Sequence, residues 1–265
     1  MKAYSLTVLL LAAVLSIASA QKKTYILVHG GWHGAWSWQK VVPLLMAEGN
    51  TVLAIDLPGH GQDKTPVASV TFNDYIKKVV SVANEQKGPV ILVGHSMAGV
   101  VIAQASEELG PKKVSKLIFL DAFMPRNGES VLQLAEKAGI ASAGNVQSGP
   151  SVSESLIMSA DGKTSTIKKE AIKPLFYHDC SPSDVAFAEA HIGSQPMVCL
   201  ATPVSLTEEK YGRIPKYYIL CTMSKDLDKS SIAGNVKCEK LYSLESSHSP
   251  FFSMPKKLVA ILLNP

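Results

Sequence analysis

Six short apolar runs alternate with longer segments of helical periodicity along most of the chain. Most of the runs at 24–29, 51–55, 90–94, 116–121, 217–221 and 240–244 are nearly continuous in apolar residues. That pattern predicts strands buried on both faces of a parallel sheet, because a half-exposed strand would alternate apolar with polar. Helical spacing recurs at about 38–48, 72–85, 98–109 and 256–263. The alternation predicts an α/β architecture, a doubly wound sheet whose strand-to-helix loops gather along one edge. Between 121 and 217 the rhythm breaks. Helical patterns fall near 130–137, 153–159, 166–176 and 182–190, punctuated by Gly, Ser and Pro, with no convincing strand. The expectation is a helical cap inserted after the fourth strand, at about 122–214, belonging to the same domain.

Composition narrows the class. The chain is 46% hydrophobic and 18% charged, with a formal net charge of +4 and scattered Lys and Arg, so no nucleic-acid surface is expected. At the N-terminus Lys2 precedes the apolar stretch 6–17 and the small residues Ala18-Ser19-Ala20. This reads as a secretory signal peptide over 1–20 followed by a single domain over 21–265, and so as a secreted or periplasmic protein. The apolar stretch is short for a membrane span, no cysteine follows it as a lipid anchor would need, and no stable membrane anchor is expected. The four cysteines, Cys180, Cys199, Cys221 and Cys238, lack zinc-site spacing. Cys221 falls inside an apolar run and reads as a buried thiol. No metal site or cofactor motif is found.

The candidate chemistry sits at the strand ends. The run at 90–94 leads through Gly94-His95-Ser96-Met97-Ala98-Gly99 into a helix. Gly-x-Ser-x-Gly between strand and helix is the sharp turn that presents a nucleophilic serine. The serine takes a positive φ there, and a side chain at either glycine would collide with the turn. A serine hydroxyl needs a base. His248, after the run at 240–244, has the required order along the chain, whereas His29, His33, His60, His95, His178 and His191 read as structural. An oxyanion needs two donors. Met97 N–H follows the nucleophile, and Gly31 N–H lies in His29-Gly30-Gly31-Trp32 after the first strand. Trp32, Phe123 and Met124 are expected to line an apolar substrate pocket.

The segments HGGWHGAWSW (29–38), GHSMAG (94–99), FLDAFMP (119–125), FYHDCSPSD (176–184) and SSHSPFFS (246–253) resemble the bacterial and plant esterases related to salicylate methylesterases and hydroxynitrile lyases. The resemblance covers nearly all of the chain after residue 20. It implies an α/β-hydrolase fold with a six-stranded core and helical cap, small ester substrates and no cofactor. It carries over Ser96 and His248 as nucleophile and base, and Gly31 and Met97 as oxyanion donors. One position departs. The family's acid follows the penultimate strand in a Cys-Thr-x-Asp pattern, and here Cys221-Thr222-Met223 is followed by Ser224. Asp121, at the strand end used by some lipases and dehalogenases, is the preferred replacement. Asp226, in Asp226-Leu227-Asp228-Lys229, is the alternative, although that composition reads as a solvated loop.

The resulting expectation is a serine carboxylesterase acting on small, fairly apolar esters through an acyl-enzyme. Two alternatives stand beside it. A lyase of the hydroxynitrile type would need a lysine where Ser249 stands. A non-enzymatic ligand-binding module would explain the lost acid position. The oligomeric state is not legible in the sequence.

Overall fold

A computed structural model describes residues 22–141 and 151–265; the expected signal peptide lies outside them. In chain order the elements are β1 (Thr24–Val28), α1 (Val41–Ala47), β2 (Thr51–Ile55), α2 (Phe72–Asn84), β3 (Val90–His95), α3 (Ala98–Leu109) and β4 (Val114–Leu120). Then come α4 (Val131–Ala141), β5 (Leu156–Met158), β6 (Thr164–Ile167), α5 (Lys169–Phe176), α6 (Pro182–His191), β7 (Gln195–Pro196) and α7 (Met197–Ala201). The chain closes with β8 (Lys216–Cys221), α8 (Ser230–Ala233), β9 (Lys240–Leu244), α9 (Pro250–Ser253) and α10 (Pro255–Leu263).

The central sheet has six strands in the order β2-β1-β3-β4-β8-β9, and every pairing is parallel. Its inner strands separate two apolar layers. Along β1, Ile26 and Val28 face one layer with α2 and α3, while Tyr25 and Leu27 face the other with α1 and α10. Both faces are covered, which is why the strands read as continuous apolar runs. The strand order reverses between β1 and β3, so the loops leaving these neighbours diverge and open a crevice at their C-terminal ends. Gly31 and Ser96 lie in these two loops. The α2 helix shows local sequence at work. The Thr71 hydroxyl accepts from Asp74 N–H at 3.3 Å, and the Asp74 carboxylate accepts from Thr71 N–H at 2.9 Å, a reciprocal cap.

The insertion between β4 and β8 is largely helical, as expected, but the expectation that it holds no strand is corrected. It contains a three-stranded sheet, β5-β6-β7, with antiparallel pairings. Residues 153–155 form one 3-10 turn, and the segment expected to continue it as a helix is strand β5. The reason is the turn Ser159-Ala160-Asp161-Gly162, where Gly162 takes φ +68°. Asp-Gly between strand-compatible residues closes a hairpin, and Thr164, Thr166 and Ile167 favour the extended partner. Ser159 N–H donates to Thr164 O at 2.9 Å to lock it. Helix α5 accordingly begins at Lys169, after β6, later than its periodicity suggested.

None of the four cysteines forms a disulfide, and Cys221 is buried. No helix among the described residues is long and apolar enough to cross a membrane.

Candidate active site

Among the described residues, three that are not glycine take a positive φ: Trp32 (63°), Ser96 (54°) and Asp121 (43°). All three stand at the ends of β1, β3 and β4, around one crevice. Side chains rarely adopt this conformation unless the surroundings enforce it, and such strain concentrates at functional positions.

Ser96 sits on the turn from β3 into α3. Its N–H donates to Leu120 O at 3.2 Å, and its carbonyl accepts from Gly99 N–H at 3.1 Å and Phe123 N–H at 3.0 Å. Those bonds pull the backbone so close that both flanking glycines are obligatory. A Cβ on Gly94 would lie 2.7 Å from Ala98 O, and one on Gly99 would lie 2.2 Å from Phe123 O. The tight turn aims Ser96 into the cavity at the start of α3, where the helix dipole favours developing negative charge.

His248 lines the same cavity, on the loop after β9. The loop is anchored on three sides. Ser247 N–H donates to Asp179 Oδ2 at 2.9 Å, and the Ser247 hydroxyl donates to Phe176 O at 3.0 Å. The His95 ring lies 2.9 Å from His248 O through Nε2. Burial holds the His95 pKa well below the usual histidine range, so the ring is neutral and donates from Nε2.

The ring of His248 is tied at Nδ1. Asp121 Oδ2 lies 2.6 Å from it, and Asp226 Oδ1 lies at 3.4 Å. Both carboxylates considered from the sequence therefore reach this side of the ring, with Asp121 in the hydrogen-bonding position. Asp121 Oδ1 also accepts from Cys221 N–H at 3.2 Å. Ser224, where the resemblance places the family's acid, donates to Asp121 Oδ2 at 2.8 Å and lies 2.7 Å from Asp226 Oδ1. Burial alone would raise the Asp121 carboxyl, but the Lys229 ammonium, the His248 ring and the Ser224 hydroxyl outweigh it and hold the pKa at about 2.

Lys229 was not legible as part of the site. Its side chain has no exposed surface, and its ammonium lies 2.6 Å from Asp226 Oδ2 and 3.3 Å from Asp121 Oδ2. The loop composition predicts a solvated Asp226; the structure corrects this, with its side chain only 6% exposed. The only hint was the spacing of Asp226 and Lys229, three residues apart.

The loop expected to supply an oxyanion donor is built by the histidines of HGGWH. Burial lowers the His29 pKa to about 3, so the ring is neutral. Its Nε2 accepts from Leu57 N–H at 3.1 Å, which leaves the proton on Nδ1, 2.8 Å from Gly30 O. In a trans peptide C=O and N–H point opposite ways. Holding Gly30 O inside the loop therefore turns Gly31 N–H outward, and Gly31 lines the cavity beside Met97. Neither amide donates elsewhere among the described residues. His33, also held near a pKa of about 3 by burial, pins Gly31 O at 2.6 Å through Nδ1.

The inserted sheet grips the next residue. Trp32 N–H donates to Gln195 Oε1 at 3.3 Å, Trp32 O accepts from Gly193 N–H at 2.8 Å, and the indole donates to Ser165 Oγ at 3.2 Å. These bonds hold Trp32 in its strained conformation. Replacing the fully buried Gln195 by leucine is expected to relax the loop and lower kcat about 10- to 100-fold, because a displaced donor weakens transition-state binding. KM should change little, since bound substrate depends less on that donor. Steady-state kinetics on a chromogenic ester check this.

The cavity has a volume of about 430 Å³. Trp32 and Phe123 line it as expected, joined by Phe176, Leu156, Met197 and Leu200 from the insertion. Met124 does not. It is fully buried in the core cluster on the α3 side of the sheet. His60 bonds Tyr75 OH at 2.6 Å, and His191 bonds Phe187 O at 2.7 Å. Neither His60, His178 nor His191 reaches the cavity.

A fully parallel six-stranded sheet with a serine turn after β3 and a histidine after the last strand defines a fold class, and comparison with known proteins agrees. A model described as "Alpha/beta hydrolase family" matches residues 25–261, and the chain belongs to that family, close to the plant methylesterases. Salicylic acid-binding protein 2 of Nicotiana tabacum is 32% identical, covering 91% of this chain and 96% of its own. Methylesterase 1 of Arabidopsis thaliana is 30% identical, covering 90% and 94%. The chain spans only 57% to 63% of the length of several longer chloroplastic relatives from Arabidopsis thaliana. Among solved structures, polyneuridine aldehyde esterase superposes with a TM-score of 0.82 at 25% identity, covering 92% of this chain and 99% of that one.

Proposed function

We propose that the protein is a serine carboxylesterase acting on small, uncharged, fairly apolar esters. The observation that carries this reading is the placement of Ser96, on a strained turn at a helix start, in one cavity with a histidine whose Nδ1 is bonded to a buried carboxylate. In this reading Ser96 Oγ attacks the ester carbonyl and His248 Nε2 takes its proton. Gly31 and Met97 N–H stabilise the oxyanion, and Asp121 keeps the His248 proton on Nδ1 and stabilises the imidazolium. The protonated alcohol leaves, and water, activated by the same histidine, releases the acid from Ser96.

Ser224 does not compete for the nucleophile's role. It lies 3.4 Å from His248, but from Nδ1, on the edge already occupied by Asp121, and it is outside the cavity lining. The lyase alternative finds no cation at Ser249, which is buried, and the Lys229 ammonium is engaged by carboxylates at the Nδ1 side. Among the described lining residues there is no Lys or Arg, while Glu136 and Asp226 are acidic, which favours neutral over anionic esters. The names of the relatives, two of them methylesterases or esterases, support an ester substrate.

A panel of p-nitrophenyl esters tests the reading. Turnover of the acetate and butyrate esters is expected, with poor turnover of a monoester bearing a free carboxylate. Absence of turnover across the panel together with cyanide release from mandelonitrile would replace this reading by the lyase.

A further inference from the structure

Behind His248 a lysine with no exposed surface stands between two aspartates. Asp121 lies at the end of β4, and Ser224, Asp226 and Lys229 lie in the loop after β8. Lys229 Nζ is 2.6 Å from Asp226 and 3.3 Å from Asp121, and both carboxylates reach His248 Nδ1, at 3.4 and 2.6 Å. A serine esterase needs one negative charge at this edge of the imidazole. Two uncompensated carboxylates would overshoot that charge and over-stabilise the imidazolium, which must give up its proton before His248 can act as base. The ammonium cancels one charge and leaves one.

We propose that Asp121, Asp226 and Lys229 work as a single acidic unit of net charge −1, in which Asp226 and Lys229 are positioning residues that set the basicity of His248. The unit compensates for serine at position 224, whose hydroxyl joins the two carboxylates. The inference rests on the esterase reading for its role in turnover. The other groups facing His248 leave this charge count unchanged. His95, with ring centroids 4.3 Å away, and His33 are kept neutral by burial. The Cys221 thiol is pushed up by burial and stays neutral, and Phe176 from α5 is apolar. Asp179 is charged and held by Ser247 N–H, outside the unit, and it is present in all four proteins, so it offsets them alike. Lys229 itself is penalised by burial, yet the two carboxylates raise its pKa, so it remains an ammonium.

The sign of each substitution follows. His248 must be neutral to act as base, and the acidic limb of kcat/KM reports its titration in the free enzyme. Asp226→Asn leaves the unit at zero, disfavours the imidazolium and moves the limb to lower pH, by about one unit or more for a charge at this range. Lys229→Met leaves two negative charges and moves the limb to higher pH. The double variant Asp226→Asn/Lys229→Met restores −1 and returns the limb close to that of the wild type. A merely structural pair would give no opposite shifts and no return.

The limb is measured with p-nitrophenyl acetate on all four proteins, and in parallel the His248 ring is titrated by NMR, which needs no turnover. Opposite shifts in the single variants with return in the double establish the unit. If Lys229→Met fails to fold, a lowered limb in Asp226→Asn that returns in the double variant establishes it equally. A limb unmoved by Asp226→Asn, or a double variant no closer to wild type than the single, overturns the proposal. A wild type that turns over no ester while its His248 titration shifts as described would count against the esterase reading and leave the charge unit standing.

Discussion

Replacing Ser96 by alanine is expected to reduce ester turnover by on the order of 10⁴- to 10⁶-fold, because the covalent route is lost and only binding and the oxyanion donors remain. Fold and substrate binding should survive. The turn is held by backbone bonds from Leu120, Gly99 and Phe123, none of which uses the serine hydroxyl. Alanine also keeps the Cβ that the positive φ already accommodates. Unchanged thermal unfolding beside abolished turnover would separate a nucleophile from a structural serine. The contrast with Gly99 is instructive. There even one added carbon meets Phe123 O at 2.2 Å, so a loss of activity at that position would report a broken turn.

The second large effect is expected at Asp121. Asp121→Asn keeps the size of the side chain, but with its amide oxygen held by Cys221 N–H an NH2 donor faces His248 Nδ1 in place of the acceptor that holds the proton there, and turnover should fall by about 10³- to 10⁴-fold. Lys229 then faces an amide in place of a carboxylate across 3.3 Å, so the imidazolium formed during catalysis also loses its nearest counter-charge. Asp226→Asn should cost much less, since its oxygen stands 3.4 Å from Nδ1 and Asp121 keeps the hydrogen bond. Parallel kinetics of the two variants check the order. The reverse order would assign the acid to Asp226.

How far these assignments could be reached from residues alone depends on where each group lies relative to the sheet. The strands were legible to within a residue or two, the inner ones because both of their faces are covered, which writes them as nearly continuous apolar runs, whereas the edge strand β9 is largely exposed. Ser96, Asp121 and His248 were legible because each follows a strand, and a parallel sheet brings strand ends to one edge. The insertion was harder. Its hairpin is short, and the Asp161-Gly162 signal lay among serines that read as a helix boundary. Met124 and Phe123 are neighbours in the segment after β4, and apolarity alone could not say which lined the cavity. Lys229 was invisible for a different reason. Charged residues on a loop are ordinarily solvated, and its burial follows from the loop after β8 folding back beneath His248 to meet Asp121, a strand end more than 100 residues earlier.

The placement of Asp121 also accounts for an arrangement that works with serine at position 224, where the resemblance implies an acid. β4 and β8 are adjacent strands, paired from Leu117 with Lys216 to Leu120 with Ile219. Their ends are neighbours, so a carboxylate after either can reach the same histidine. Ser224 keeps a polar link where the acid would stand, and Asp121 supplies the charge from the next strand.

The proposed chemistry turns on Ser96 as the residue that forms the covalent bond. The direct measurement is incubation with a fluorophosphonate probe followed by peptide mass mapping. The expected result is one label, on the peptide containing Ser96, absent in Ser96→Ala and blocked by prior incubation with substrate. Labelling of Ser224, or undiminished ester turnover by a protein whose Ser96 stays unlabelled, would contradict that role.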